Sequence, residues 1–183
     1  ITVGLTIRGV GLDSREVVLD GLREDRILSV THLDAAVWIQ NLTFRDGFAL
    51  GESTNLMSGG ALFVSHSNVA LQNCRFENNR AGAHGGAIRS VESLLRISQC
   101  DFVGNRAQQG GGAVDASYDA DPIFLRCRFE DNTAAWGGAV SCRGGAAPTF
   151  KGCDFVGNAA SGILGYGGAV FADYEAAPDF DAC

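Results

Sequence analysis

Several things are scarce in this chain of 183 residues. No apolar run approaches the roughly 18 residues of a membrane-crossing helix, and no basic, apolar and small-residue leader opens it, so direct membrane insertion by this segment is not expected. Basic residues are outnumbered, 14 against 21 acidic ones, for a net charge of −7. That balance speaks against nucleic acid or an anionic membrane surface as partner, since both require basic patches. There are only one Met and three Pro, and runs with helical period and caps are hard to find. The six cysteines include no Cys-x-x-Cys pair, which removes the usual zinc and redox motifs; no metal and no cofactor is expected.

What the chain has in abundance is glycine, 25 residues, and a repeat. Gly-Gly-Ala followed by Leu, Ile or Val begins at Gly59, Gly85, Gly111, Gly137 and Gly167, at intervals of 26, 26, 26 and 30 residues. Between these marks stands Cys-x-Phe-x-x-Asn: Cys74/Phe76/Asn79, Cys100/Phe102/Asn105, Cys127/Phe129/Asn132 and Cys153/Phe155/Asn158. NLTFRDG is an earlier, degenerate copy with Phe44 in the phenylalanine position, and Cys183 opens another. With 46% apolar and 19% charged residues the chain suits a folded domain rather than a disordered one.

A period near 26 made of short β-rich runs and glycine turns is too long for a hairpin repeat and contains no helix. It predicts a solenoid with one coil of about three strands per repeat. Parallel crossovers are overwhelmingly right-handed, so the expected fold is all-β: a right-handed, single-stranded parallel β-helix of about 26 residues per coil. Residues 1–58 form less regular entry coils and residues 59–183 the regular repeats, in one continuous domain. After each Gly-Gly, alternation places Leu62, Ile88, Val114, Val140 and Val170 inward and Phe63, Arg89, Asp115, Ser141 and Phe171 outward. Leu71, Ile97, Phe124, Phe150 and Phe180 form a second inward column.

In such a coil Cys74, Cys100, Cys127 and Cys153 are core residues. Their Cβ atoms, stacked at about 4.8 Å, are farther apart than a relaxed disulfide prefers, so bridges between rungs would need local distortion. Phe76, Phe102, Phe129 and Phe155 stack ring on ring. Asn79, Asn105, Asn132 and Asn158 form an amide ladder at an inside turn. Outside, Arg75, Asp101, Arg128 and Asp154 alternate in sign from rung to rung, which fixes register.

The ordered pairing of Gly-Gly-Ala-[Leu/Ile/Val] with Phe-x-x-Asn (FENN, FVGN, FEDN, FVGN) over residues 59–183 resembles the repeats of the polymorphic outer membrane proteins, whose best-known members are autotransporter adhesins. The N-terminal third resembles the entry coils of pectin-lyase-like β-helices. The resemblance implies a surface-exposed β-helix working by adhesion or structural assembly, outside the cell or on its surface, with proteins or surface glycans as partners. The chain is expected to be a segment of a larger polypeptide or assembly.

Because pectin-lyase-like folds also host polysaccharide lyases and glycosidases, an enzyme is the competing expectation. Its residues would be Asp101 and Asp154, roughly 9.6 Å apart over two rungs, with Arg128 between them, at the edge of the spacing of inverting glycosidases. Asp119, Asp121, Asp173 and Glu175 are the acids considered for calcium. A passive structural subunit is the third expectation. Recognition is expected at the corner before Gly-Gly, where Trp136 and Tyr166 occupy adjacent rungs and the insertion AASGILGY adds Ile163 and Leu164. His32, His66 and His84 read as isolated surface or turn residues, and Asn41-Leu42-Thr43 is a glycosylation sequon if the source is eukaryotic and secretory.

Overall fold

A computed structural model describes residues 4–11, 13, 16–163 and 166–183. Among these there is no helix, and every strand pairs in parallel with the strand one coil away. The coil that begins at Gly85 shows the plan: strands Ile88–Val91, Leu94–Ser98, Asp101–Val103 and Arg106–Ala107. Stacked copies of these four form four sheets, called first to fourth in coil order, with 6, 7, 6 and 5 strands among the described residues. Three strands per coil were expected; the fourth is only two residues long. Arg80–Ala81, Arg106–Ala107 and Thr133–Ala134 stay extended after the asparagine turn because each pairs with the copy above and below, and Ala159–Ala160 pairs with Thr133–Ala134.

Register follows the repeat. Leu62, Ile88, Val114, Val140 and Val170 are partners in sequence, as are Leu71, Ile97, Phe124, Phe150 and Phe180. Slipping one residue would send an entire apolar column outward, so the hydrophobic pattern holds the pairing against such a slip. Phe44, Phe76, Phe102, Phe129 and Phe155 stack with ring centroids 4.8–5.0 Å apart and planes within 4–7° of parallel. Phe124 and Phe150 meet this stack edge-on at 5.4 and 5.5 Å, the other arrangement the ring quadrupole favours. The core is therefore two aromatic stacks locked at right angles, flanked by aliphatic columns.

The asparagines satisfy the inside of the turn. Asn105 donates through Nδ2 to the Phe76 carbonyl (2.9 Å) and to Asn132 Oδ1 (3.0 Å), while its own Oδ1 accepts from Asn79 N and Nδ2. Asn79, Asn132 and Asn158 repeat the pattern. Cys74, Cys100, Cys127 and Cys153 are buried free thiols, each facing the carbonyl two residues earlier. Burial pushes the Cys100 thiol up, and holds the Cys142 thiol, in the first sheet, at about 12. Cys100 and Cys142, kept protonated in the core, are packing rather than nucleophiles. The Gly-Gly corners need glycine twice over: Gly85 has φ +61°, and a Cβ there would collide with the Ile88 carbonyl.

Candidate functional site

Strand alternation turns Phe63, Arg89, Asp115 and Ser141 away from the core, so solvent was their expected surrounding. The structure corrects this: Arg89 is 4% exposed and Asp115 0%, with Phe63 and Ser141 also buried. The cause is the corner before Gly-Gly, which folds back over the outer face of the first sheet and carries Ser58, His84 and Trp136 across it. His84 is thus buried, not a surface residue. Of the other two histidines, His66 meets Glu92 at 3.2 Å and stacks on His32 at 4.8 Å, so neither is isolated.

Beneath this cover lies an ionic cluster spanning three rungs. Arg89 and Asp115 are register partners and form a direct ion pair. Asp115 Oδ1 also stands 3.5 Å from Arg143 Nη2 and 3.7 Å from His84 Nδ1. Arg143 Nη2 lies 3.2 and 3.1 Å from the two ring nitrogens of His84, and so sits over the imidazole rather than at one end of it. Burial, then Arg143 and Arg89, press the His84 imidazole down to about 3; burial and Arg143 lower the Arg89 guanidinium to about 10. His84 is therefore neutral, and its Nδ1 accepts from Gly110 N at 3.3 Å. With Nδ1 an acceptor turned to the backbone, a Ser–His–Asp relay is not formed, because that relay needs Nδ1–H on the carboxylate.

Trp136, expected as a surface anchor, is half-buried and acts as the lid. Its ring packs 6.2 Å from His84 and 6.3 Å from Phe171, with Arg143 5.9 Å from its centroid. The residue below it in the same corner column is Gly110, where any Cβ would run into the indole nitrogen. Tyr166 is about half exposed and Ile163 fully exposed; Leu164 falls outside the described residues. The cluster opens on the other side of the strand. Ser117, Tyr118, Arg143, Gly144 and Tyr174 line a cleft of about 320 Å³. Tyr118, Gly144 and Tyr174 follow the register partners Ser117, Arg143 and Asp173, and so occupy successive rungs of one turn column. The glycine leaves a gap between two rings that are 60% and 71% exposed. At the floor, Ser117 Oγ and Arg143 Nε are buried with no hydrogen-bond partner among the described residues. Rigid aromatic walls and uncommitted polar atoms at the base are what small-ligand recognition uses.

The other expected residues are not brought together in this way. Asp101, Arg128 and Asp154 do stack in one column, but Arg128 is engaged by Glu130 at 3.1 Å and Asp101 lies 3.6 Å from Arg75. These are the alternating surface pairs of a ladder. Asp121 and Asp173 accept from the backbone nitrogens of Ala147 and Tyr174 at 2.7 and 2.8 Å. Among the described residues no three His, Cys, Asp or Glu side chains converge as a metal would require. Asn41 stands at a left-handed turn and accepts from Asn73 Nδ2 at 3.0 Å.

Comparison with known families places this geometry in a class. The sequence model for the right handed beta helix region matches residues 33–173, well over half of the chain. The chain belongs to that family, which also gives the coil its hand. Comparison with curated proteins and with solved structures finds no match.

Proposed function

We propose that the chain is a non-catalytic β-helix scaffold, extracellular or on a cell surface, that serves adhesion or structural assembly by presenting one edge to protein or glycan partners. The observation that carries this reading is the cleft between Tyr118 and Tyr174, held in place by the buried Arg89–Asp115–Arg143 cluster on the outer face of the first sheet. Tyrosines offer large, stiff contact areas at low entropic cost, and Ile163 and Tyr166 are further exposed apolar residues at the opposite corner of the same sheet. The repeat itself supports the reading, since Gly-Gly-Ala-[Leu/Ile/Val] with Phe-x-x-Asn resembles the polymorphic outer membrane protein repeats. Scaffold residues such as Asp101 and Asp154 supply register, and their removal leaves the edge untouched.

The test is to incubate the chain and its Asp101→Asn/Asp154→Asn variant with a panel of acidic and neutral polysaccharides, and to measure both retention on the polymer and release of reducing or unsaturated ends. The expected result is no release by either protein, and the same retention by both. Chain cleavage by the wild type that disappears in the variant would establish the enzyme instead.

A further inference from the structure

The fourth sheet departs from the charge pattern of the rest of the molecule. On the third sheet, charges of opposite sign stack rung on rung. On the fourth, Arg80 is the register partner of Arg106, so two guanidinium side chains leave adjacent rungs in the same direction, about 4.8 Å apart at the backbone. Like charges directly opposite each other are destabilising. Both arginines are exposed, and neither guanidinium has a hydrogen bond or ion pair among the described residues. A chain with seven excess negative charges has no shortage of acids that could stand beside them.

Arg23 approaches the same place from the entry coils, its Nε bound to Asp46 at 3.0 Å. Together Arg23, Asn78, Arg80, Gly104 and Arg106 line a concavity of about 260 Å³. Neither of the neighbouring acids, Asp46 and Asp131, pairs with Arg80 or Arg106. Asp46 is held by Arg23 and Arg45, at 3.0 and 3.7 Å. The carboxylate of Asp131 lies over Gly157, one rung farther on. The turn residue that faces the arginines is Asn78, whose amide oxygen lies over Gly104. Two unpaired cations, a third already paired with Asp46, and a neutral amide, with no carboxylate in the lining, form a site for a negative group.

We propose that this concavity binds an oxyanion, a sulfate or phosphate group, free or carried as an ester on a larger ligand. The planar guanidinium presents paired N–H donors that match two oxygens of such a group. Arg80 and Arg106 approach a tetrahedral anion from adjacent rungs, and Arg23 completes the third side. Bound anion would relieve the repulsion that the bare stack carries. The concavity has room for several waters at about 30 Å³ each, enough for the anion and the atoms that bear it. It lies on a different sheet from the tyrosine cleft and stands independently of it.

The test is calorimetric titration and thermal melting at low ionic strength, with inorganic sulfate, inorganic phosphate and a sulfated heparin tetrasaccharide as probes. The variants are Arg80→Ser/Arg106→Thr, the second copying Thr133, the register partner of Arg106 one rung on, and the control Arg126→Asn on another turn. The wild type is expected to bind, the double variant to lose at least about tenfold in affinity, and the control to match the wild type. A response to the free ions identifies the bare oxyanion as sufficient, and a response to the tetrasaccharide alone identifies an ester. Without ligand the double variant should melt at or above the wild-type temperature, because a like-charge contact is gone. The proposal is overturned by equal binding of wild type and double variant, by no binding of any probe at millimolar concentration, by equal loss in the control, or by a double variant less stable without ligand.

Discussion

Replacing Asn105 by alanine is expected to destabilise the fold by about 3–5 kcal/mol. Asn105 is completely buried and works in both directions along the axis. Its amide donates to the Phe76 carbonyl and to Asn132, and its oxygen accepts two N–H groups of Asn79. Alanine removes four hydrogen bonds and leaves the Phe76 carbonyl and both Asn79 donors buried without those partners. Each such group costs on the order of 1–3 kcal/mol, less whatever the turn recovers by relaxing. For a chain of this size about 1 kcal/mol corresponds to 2–4 °C in melting temperature, so thermal unfolding by circular dichroism should show a drop of roughly 6–20 °C. Asn105→Asp is expected to be no better, because a carboxylate would face the Phe76 carbonyl and Asn132 Oδ1 with no proton to donate. A change of less than about 1 kcal/mol in both variants would mean the ladder is ornament and the ring stacks carry the coil.

The second large effect concerns Asp115. Asp115→Leu leaves Arg89 charged and enclosed, and breaking a buried pair from one side costs about 3–5 kcal/mol. The double variant Arg89→Met/Asp115→Leu removes both charges and should return close to wild-type stability, since an apolar replacement of a buried pair is often neutral. A urea double-mutant cycle measures this, with strong coupling the expected outcome and additivity the contrary one. The same cluster makes stability depend on pH through His84, held near 3 in the fold against about 6.5 unfolded. Between those values the unfolded chain binds a proton that the folded chain does not. Stability from this group is therefore complete above pH 6.5 and is lost progressively as the pH falls toward 3. His84→Gln should flatten that slope.

Which features could be read from the sequence follows from what repetition does. A parallel stack puts equivalent residues one rung apart, so core demands recur at the period of the chain and become visible. Phe44 could be assigned from NLTFRDG alone because it keeps the ring that recurs in the Phe-x-x-Asn repeats, and it indeed stacks on Phe76. The asparagine ladder was legible for the same reason. The fourth strand was not, since Arg80–Ala81 and its copies are two residues long and carry no alternation. Nor was the buried cluster, because inward and outward are properties of a strand, whereas the cover over Arg89 and Asp115 comes from a corner elsewhere in the coil. A signal did exist: across the regular repeats the outward column runs from Phe63 to Phe171, two rings that a solvated face has no reason to keep. Tyr118 and Tyr174 were hidden as well, their adjacency across Gly144 becoming clear only when the turns are superposed in register.

Recognition at the edge of the first sheet is the central claim, and binding measured against that edge tests it most directly. The chain would be applied to arrays of immobilised glycans and extracellular proteins, beside Tyr118→Ala/Tyr174→Ala. Both tyrosines are exposed, so the variant should fold as the wild type does. The prediction is capture by at least one partner, weakened about tenfold or more in the tyrosine variant, as the loss of two aromatic contacts implies. Capture that is indifferent to both tyrosines would contradict it.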